Sequence, residues 1–433
     1  MRGGSAPAGR GIGEAGGDWT AMNAAFMAGF LGVMGVLAPH FVRAVDVGMH
    51  NRVLGWCLLA GACFCALPRL DSRGVNWRDG LMGVVFLGLV ACYSTGAQLG
   101  ELVHVPSRLD YYGEKTAMTV QVCLPPLVAG LILSVLRMEP GFWSGIRAGA
   151  ITSGCVAMGV MILNRHLLLS QTWVERAELR ETGVISVIGF SLVLCFAVMA
   201  ILGKARESSL WKAAISVGLA MPFLAAIIMI QQRSHLVFVC LIGAAMMFSW
   251  RQKARGLCLC AVVCGMAVIG WQFREYIVGP QVQAYWDALL SGESASFRWQ
   301  MMDFAMRGFW ENPVGRGVGA FSLDYPFDER MLYPHNLMAE AAYELGIPGV
   351  ILVSGVMVAV IKRFWKTPGM AAGFCLFALL HLMKSADFAS TELLWFFLSV
   401  SRPAVVFARQ MEHRFARPSL VQQSTEATPT GDC

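Results

Sequence analysis

Apolar stretches recur along almost the whole chain, and short polar connections separate them. A helix needs about 20 apolar residues to cross the hydrocarbon core of a bilayer, and the stretches have about that length. In lipid, the backbone satisfies its hydrogen bonds inside helices. The chain is therefore predicted to be an all-α, polytopic membrane protein with about twelve transmembrane helices. The predicted spans cover residues 20–39, 53–68, 80–98, 117–136, 142–163, 184–202, 211–230, 234–250, 256–273, 348–363, 370–386 and 391–408.

One long polar segment interrupts this pattern between the ninth and tenth spans. With this segment, the pattern predicts five parts of the chain: a first tail, spans one to nine, a partly helical loop, spans ten to twelve, and a second tail. The first tail is rich in Gly, Ala and Arg without an apolar core, which is not typical of a cleaved signal peptide. This tail and the polar residues 418–433 are expected to be disordered. The five parts cover residues 1–18, 19–273, 274–347, 348–408 and 409–433.

The composition and the distribution of charge fix the class of protein and its orientation. With 56% hydrophobic residues, 14% charged residues and a mean hydropathy of +0.57, a soluble globular protein is excluded. Basic residues concentrate in the even-numbered connections, as at Arg251, Lys253 and Arg255. The positive-inside rule therefore predicts cytoplasmic termini and an outward-facing loop, which in a bacterium is periplasmic. This bias explains the net charge of +6, so the charge does not indicate a nucleic-acid partner.

The cysteines do not indicate a disulfide framework. Twelve of the thirteen fall inside predicted spans, and the last is Cys433 in the second tail. Cys258, Cys260 and Cys264 stand close together in an apolar span without a nearby His or carboxylate. They are interpreted as small core residues and not as metal ligands.

Two arginines lie where an anion would bind. Arg233 precedes the eighth span in a short outer connection, and Arg298 lies near a predicted helix start with Ser294 or Ser296 as its N-cap. A helix N-terminus has unpaired N–H groups and a positive dipole end, and an arginine there disfavours the helix unless both face an anion. Both arginines are predicted to hold a phosphate or diphosphate in bidentate geometry. The alternative is that each one anchors a helix end at the membrane surface.

The loop also contains a glycine run and a histidine. Gly315, Gly317 and Gly319 can adopt positive φ and bring main-chain N–H groups to a phosphate or sugar, although a simple tight turn fits equally well. His335 stands just ahead of a helix predicted over 336–345. The positive end of that helix favours a neutral imidazole, which can accept a proton, so His335 is the candidate catalytic base. A capping or packing role is the alternative.

The remaining candidates give weaker signals. Asp324, Asp328 and Glu329 could bind a divalent metal, and Glu340 and Glu344 either face water or orient His335. The other histidines, including His235 and His381, are predicted to lack a comparable setting. Arginines in the loop such as Arg307 could be plain surface charges. The candidate substrate-binding residues outside the glycine run are Arg108, Tyr111, Lys115, Arg316, Tyr333, Asn336 and Glu340.

Together these motifs resemble the O-antigen ligase and polymerase superfamily of bacterial envelope glycosyltransferases. An Arg-Ser pair begins the eighth span, SASFR ends at Arg298, NPVGRGVGAF begins at Asn312, and PHNLMAEAAYELGIPG begins at Pro334. The resemblance covers about 225–365 by motif and the whole chain by hydropathy. It implies a GT-C-like helical scaffold that transfers glycans from an undecaprenyl-diphosphate carrier at the periplasmic face of the inner membrane.

The resemblance also implies roles for the site residues and for the partners. Arg233 and Arg298 would hold the diphosphate, and His335 would deprotonate the acceptor hydroxyl, or orient it if Glu340 is the base. The displacement would invert the anomeric centre without a metal or other cofactor. The ligase would join the O-antigen to a lipid A-core sugar among membrane lipids. The sequence leaves the oligomeric state open.

Rival functions share these features in part. An O-antigen polymerase and a protein O-oligosaccharyltransferase use the same donor with other acceptors. The ligase is favoured because the chain has one modest outer loop and no added soluble domain. A transporter of lipid-linked sugars should carry ionisable residues at mid-membrane and internal repeats, and the predicted spans show neither clearly.

Overall fold

The computed structural model describes residues 13–42, 50–70, 77–104, 109–136, 139–163, 187–205, 210–230, 233–247, 293–325, 333–366, 369–385 and 388–401. All regular elements in these ranges are helical, which confirms the all-α prediction for this part of the chain. The α-helices are α1 Gly13–Val42, α2 His50–Ala66, α3 Trp77–His104, α4 Leu109–Leu133, α5 Pro140–Leu163, α6 Val187–Ala205, α7 Leu210–Met229, α8 Arg233–Met247, α9 Glu293–Glu311, α10 Ala320–Asp324, α11 Leu337–Lys366, α12 Met370–Ser385 and α13 Glu392–Val400.

The apolar helices show that the chain is a multi-pass membrane protein. Six of the described helices are long and apolar enough to cross a bilayer: Met22–His40, Arg52–Arg69, Lys115–Leu136, Gly141–Leu163, Trp211–Ile228 and Leu337–Lys366. Four shorter apolar helices are Gly80–Ser94, Ile188–Gly203, Ser234–Met246 and Met370–Lys384. Each of these ten coincides with a predicted span.

Two predicted spans are only partly described or not described. The ninth span, 256–273, lies outside the described residues, as does most of the predicted loop before Glu293. Of the twelfth span, 391–408, the structure describes α13 and Ser401. Helix α1 begins at Gly13, inside the predicted first tail. The total of twelve spans therefore stays a prediction.

Small residues allow the first helices of the bundle to pack closely. A Cβ atom added to Gly145 on α5 would lie 2.0 Å from the carbonyl oxygen of Phe26 on α1. One added to Gly29 on α1 would lie 2.2 Å from the carbonyl oxygen of Phe142. Glycines at such crossings let two backbones approach within van der Waals contact, as is common in membrane helix pairs.

Aromatic side chains join the later helices. The ring of Phe196 on α6 lies 4.8 Å from that of Phe374 and 5.5 Å from that of Phe377, both on α12. It also stacks on Phe397 of α13 at 5.0 Å. Edge-to-face and stacked pairs at these separations add to the free energy of burial. They fix α12, whose last turn reaches the candidate site.

Helix α11 consists of two parts that meet at a kink. Gly346 has φ 62° and ψ −147°, which is outside the helical region, and Pro348 follows it. The first part is the short helix predicted to end at Leu345, and the second part is the predicted tenth span. Glycine tolerates the backbone conformation that ends a helix, and proline does not continue one. The sequence therefore predicts this boundary.

Seven helix ends meet at one end of the bundle. Side-chain contacts there join the starts of α4, α6, α8, α11 and α13 and the ends of α1 and α12. These are the ends that the charge pattern predicts on the outer side of the membrane. The contacts are Lys115–Glu344, Ser191–His235, His235–His381, His40–Glu392 and Asn336–Met383.

Candidate active site

Asn336 caps the start of α11 and ties it to α12. Its Oδ1 atom accepts hydrogen bonds from the backbone N–H groups of Met338 at 2.9 Å and Ala339 at 3.0 Å. Its Nδ2 atom donates to the carbonyl oxygen of Met383 at 2.7 Å. Asn is a preferred N-cap because its side chain replaces missing backbone acceptors. The prediction placed Asn336 inside the helix as a substrate contact and missed this role, although the residue type was a signal for it.

His335 directly precedes this cap in an uncommon backbone conformation. It is the one non-glycine residue of the described ranges with positive φ, at 55°. A positive φ strains the backbone of a non-glycine residue slightly, and the surrounding structure must offset that strain. The imidazole packs edge-on against Tyr333, with ring centroids 4.5 Å apart, and it is partly exposed. The predicted place of His335 ahead of a helix is confirmed, and its catalytic role stays a prediction.

The glycine run packs against the kink in α11. Gly315, Gly317 and Gly319 have φ of 102°, 100° and 92°, as expected for a run that needs positive φ. The N–H groups of Arg316 and Gly317 donate to the carbonyl oxygens of Tyr343 and Glu344, each at 3.0 Å. These two N–H groups are thus hydrogen-bonded within the protein. For them, the interpretation of the run as a tight turn applies.

Glycine is required on both sides of this contact. A Cβ atom on Gly315 would lie 2.7 Å from the carbonyl oxygen of Glu344, and one on Gly346 would lie 2.4 Å from that of Pro313. The N–H of Ile347 donates to the same Pro313 carbonyl at 2.9 Å. The run and the kink therefore hold each other in place at the end of the short helix that follows His335.

Arg316 belongs to an ionic cluster around Tyr343. Its guanidinium lies 2.7 Å from the Glu311 carboxylate and 3.8 Å from that of Asp324, and it stacks over the Tyr343 ring at 5.4 Å. The Tyr343 hydroxyl donates to Asp324 at 2.7 Å. Asp324, a candidate metal ligand, is thus held by a hydroxyl and a guanidinium. The other two candidates, Asp328 and Glu329, lie outside the described residues.

A small core under this cluster makes the loop segment a firm platform. It is separate from the main core and combines residues of α9, α10 and α11. A Cβ atom on Gly308 would lie 2.2 Å from the Tyr343 ring, so α9 sits directly on α11. The buried members are Met301, Ala305, Ala320, Phe321, Tyr325, Ala339 and Tyr343.

Glu340 and Glu344 are buried and bind Lys115. The Lys115 Nζ atom lies 2.8 Å from the Glu340 carboxylate and 2.7 Å from that of Glu344. Both glutamate side chains are 0% exposed, so the expectation that they face water is wrong. Backbone N–H groups of Gly319 and Phe321 also donate to Glu344. Lys115 therefore has a structural role beside its predicted one as a substrate contact.

Arg298 lies on α9 later than predicted. The helix begins at Glu293, before Ser294 and Ser296, so neither serine is the N-cap and Arg298 falls in the second turn. The dipole of the first turn therefore does not act on Arg298 in the way expected, because the effect is confined to the helix end. The guanidinium is exposed and lies close enough to Lys384 on α12 for their like charges to repel.

Lys384 was not predicted as a site residue because it falls inside an apolar span. It follows Met383, whose carbonyl binds Asn336, and it is partly buried. Within the described ranges, neither Lys384 nor Arg298 forms an ion pair with a carboxylate. Lys384 thus lies at the junction next to His335, and neither it nor Arg298 has a counter-charge from the described part of the protein.

Two histidines form a buried pair near Lys384, a contact that the sequence analysis did not predict. The Nε2 atom of His235 lies 2.8 Å from Nδ1 of His381, and its Nδ1 atom lies 2.7 Å from Oγ of Ser191. His235 and His381 are 146 residues apart in the sequence. No local pattern could therefore have indicated the contact.

The other predicted residues are placed only in part. Arg233 is the first residue of α8, two positions before His235, which confirms its place at a helix start. The structure does not describe the side chain of Arg233, nor that of Tyr111 in the first turn of α4. Arg108 lies outside the described residues. The described part of the chain holds no group of three His, Cys, Asp or Glu side chains arranged to bind a metal ion.

Comparison with known proteins assigns the stretch that contains most of this site. Residues 218–354 match a family model described as O-Antigen ligase. The match includes the start of α8, all of α9, the glycine run, His335 and the kink at Gly346. A search of curated proteins finds no significant match to the chain.

Proposed function

We propose that the chain is a ligase of the O-antigen ligase family, whose ligase- or polymerase-type membrane glycosyltransferases are indicated by the match over residues 218–354. It transfers O-antigen polysaccharide from undecaprenyl diphosphate to a sugar of the lipid A core. One observation carries this proposal: His335, Arg298, Lys384 and the start of α8 meet at one end of an apolar bundle. A nucleophile with a lipid anchor and a donor with a lipid tail can both reach such a place.

The proposed location is the inner membrane, with both termini cytoplasmic and the site on the periplasmic side. Basic residues in the even-numbered connections support this orientation. The meeting of seven helix ends, all predicted to be outer ends, also supports it. A lipid-linked donor would then place its diphosphate at the level of the site and its isoprenoid tail among the spans.

Arg233 and Arg298 are the proposed binding residues for the diphosphate. A guanidinium matches phosphate oxygens with two parallel hydrogen bonds, and such charge-assisted bonds are stronger than neutral ones. The exposed Arg298 side chain, without a carboxylate partner in the described ranges, is suited to an external anion. The two residues would stabilise negative charge as the diphosphate leaves, which is the task of a divalent cation in many other glycosyltransferases.

His335 is the proposed base. Its imidazole accepts the proton of the acceptor hydroxyl while the oxygen attacks the anomeric carbon. The bond from that carbon to the diphosphate breaks on the opposite face, so the configuration inverts and the carrier diphosphate departs with the electron pair. Glu340 is less suited to this step because it is fully buried and bound to Lys115. A base must reach the proton that it takes.

Purified protein in detergent tests this function. The reaction contains EDTA, undecaprenyl-diphosphate-linked O-antigen and lipid A-core, and the product is analysed by gel. We expect a ladder of lipopolysaccharide. Arg307→Ala is the matched control, because Arg307 lies on the same helix as Arg298 but pairs with Asp303 at 2.5 Å in an exposed position.

The other outcomes identify the rival functions. Lengthening of the carrier-linked glycan, without transfer to lipid A-core, would mean that the protein is a polymerase. Transfer to Ser or Thr of an added peptide would mean a protein O-oligosaccharyltransferase. Loss of the ladder in EDTA, with recovery in Mg²⁺, would overturn the metal-independent mechanism alone.

A further inference from the structure

Lys384 lies at the junction that positions His335. The carbonyl group of the preceding residue, Met383, accepts a hydrogen bond of 2.7 Å from Asn336, and Asn336 directly follows His335. The last turn of α12 is therefore held against the start of α11. Lys384 is partly buried there and has no ion-pair partner among the described residues.

The carboxylates that the structure describes at this end of the bundle are already engaged elsewhere. Glu340 and Glu344 bind Lys115, Asp324 binds Tyr343, and Glu392 lies 3.2 Å from His40. No described carboxylate remains within ion-pair distance of Lys384. Arg298, which has the same sign, lies close enough to Lys384 for the two charges to repel.

A partly buried lysine near a second positive charge costs free energy unless an anion lies between or beside them. The described part of the protein does not supply that anion, and a bound anionic ligand would. The ligand class that suits several cations is one with more than one negative charge. A diphosphate meets this requirement, and lysine is a common phosphate ligand that acts as a point charge.

We propose that Lys384 is a third cation of the donor site and that it binds the diphosphate together with Arg298 and Arg233. This inference rests on the proposed function for the identity of the donor. Arg298 comes from the loop, Arg233 from the start of α8 and Lys384 from the end of α12. The three residues thus belong to three different elements, and a set of three cations suits two linked phosphates better than one.

The histidine pair sets the spacing of two of these cations. His235 lies two residues after Arg233, and His381 lies one turn before Lys384. Their ring nitrogens are 2.8 Å apart, so one donates and the other accepts, and Ser191 binds the second nitrogen of His235. Both rings are buried, at 1% and 6% exposure. The pair thus clamps the start of α8 to the end of α12, and we assign His235 and His381 as positioning residues.

Binding of two lipids that differ by one phosphate tests the role of Lys384. The full chain in detergent is titrated with undecaprenyl diphosphate and with undecaprenyl monophosphate, and Kd is measured for each. Lys384→Met should weaken diphosphate binding by about ten- to hundredfold, as expected for a lost hydrogen bond to a charged group. Monophosphate binding should change much less. Lys384→Arg should retain most of the preference.

Lys366→Met is the matched control because it removes one exposed lysine from the far end of α11. It should change neither Kd. An equal loss for both lipids in Lys384→Met would mean that Lys384 acts as a general surface charge, and the proposal would be wrong. Unchanged Kd values would show a membrane anchor and would also overturn it.

His381→Leu and His381→Gln test the positioning role. Leu removes the hydrogen bond to His235, whereas Gln retains a polar group in a similar place. We expect Leu to lower the preference for diphosphate and Gln to restore part of it. Ser191→Ala provides a second, smaller change if His381→Leu does not fold. An unchanged preference in both Leu and Ala variants contradicts the clamp.

These measurements separate the inference from the proposed function. If the wild-type protein binds diphosphate through Lys384 but forms no ladder, the inference stands and the ligase function fails. If the ladder forms and Lys384→Met binds diphosphate as the wild type does, the function stands and the inference fails. A wild-type protein that shows no preference for diphosphate overturns the inference directly.

Discussion

The ammonium group of Lys115 on α4 lies 2.7 Å from the carboxylate of Glu344 on α11, although 229 residues separate them in the sequence. The same ammonium lies 2.8 Å from Glu340. One buried cation therefore forms ion pairs with two buried carboxylates. Glu344 in turn accepts backbone N–H groups from Gly319 and Phe321, so the cluster joins α4, the glycine run and the helix that follows His335.

Replacement of Lys115 should destabilise the protein strongly. Lys115→Met leaves two buried carboxylates without their cation, and loss of one partner of a buried pair costs about 3–5 kcal/mol. We expect a clear decrease in the thermal unfolding midpoint of the purified protein in detergent. Lys212→Met removes an exposed lysine from α7 and should leave the midpoint unchanged. Equal midpoints for the two variants would contradict the importance of the cluster.

Gly346 should not tolerate a side chain. Its φ of 62° and ψ of −147° are essentially restricted to glycine, at a cost of about 1–3 kcal/mol for other residues. Contact with the Pro313 carbonyl adds to this cost. Gly346→Ala should therefore lower the unfolding midpoint and the rate of transfer.

Gly355 gives an internal control on the same helix. A Cβ atom there meets nothing within 4 Å, and alanine favours a helix over glycine by up to about 1 kcal/mol. Gly355→Ala should be neutral or stabilising. If both alanine variants unfold at the same temperature, the kink does not require glycine.

His335 should be essential for the chemical step but not for donor binding. Loss of a general base lowers a rate by about 10²–10⁴-fold. His335→Asn is the sharper variant, because Asn tolerates positive φ and so preserves the turn while it removes the imidazole. We expect loss of the ladder with an almost unchanged Kd for undecaprenyl diphosphate. Wild-type turnover in this variant would exclude His335 as the base.

Arg298 should not be replaceable by lysine. A point charge cannot reproduce the two parallel hydrogen bonds of a guanidinium, so Arg298→Lys should lower the initial rate about tenfold. Arg307→Lys on the same helix should be active, since Arg307 is exposed and paired only with Asp303. Full activity of Arg298→Lys would indicate a helix anchor and not a diphosphate ligand.

The sequence predicted those parts of the fold that depend on local composition. Ten predicted spans coincide with apolar helices because the thickness of the bilayer fixes their length. The end of the short helix at Leu345 and the positive φ of Gly315 followed from the conformational range of glycine. His335 was placed correctly ahead of a helix because Pro334 precedes it and restricts Tyr333 to extended geometry.

The sequence could not predict the side-chain partners. Lys115 and Glu344, or His235 and His381, are far apart in the chain, and a single sequence contains no signal for their contact. Lys384 looked like part of a span because its neighbours are apolar. The N-cap of α9 was wrong because the helix starts earlier than the first serine, and helix ends vary by a residue or two even between good assignments.

The kink at Gly346 gives the first part of α11 a fixed length. No loop separates the nine residues of its first part from the span that follows, so His335 stands roughly 14 Å of helix away from the kink. The glycine run binds the kink through backbone hydrogen bonds. Asn336 holds the start of the first part of α11 against α12. The height of the proposed reaction above the span is thus a fixed length of the fold. In the proposed reaction, a lipid-linked donor has to bring its diphosphate to that height.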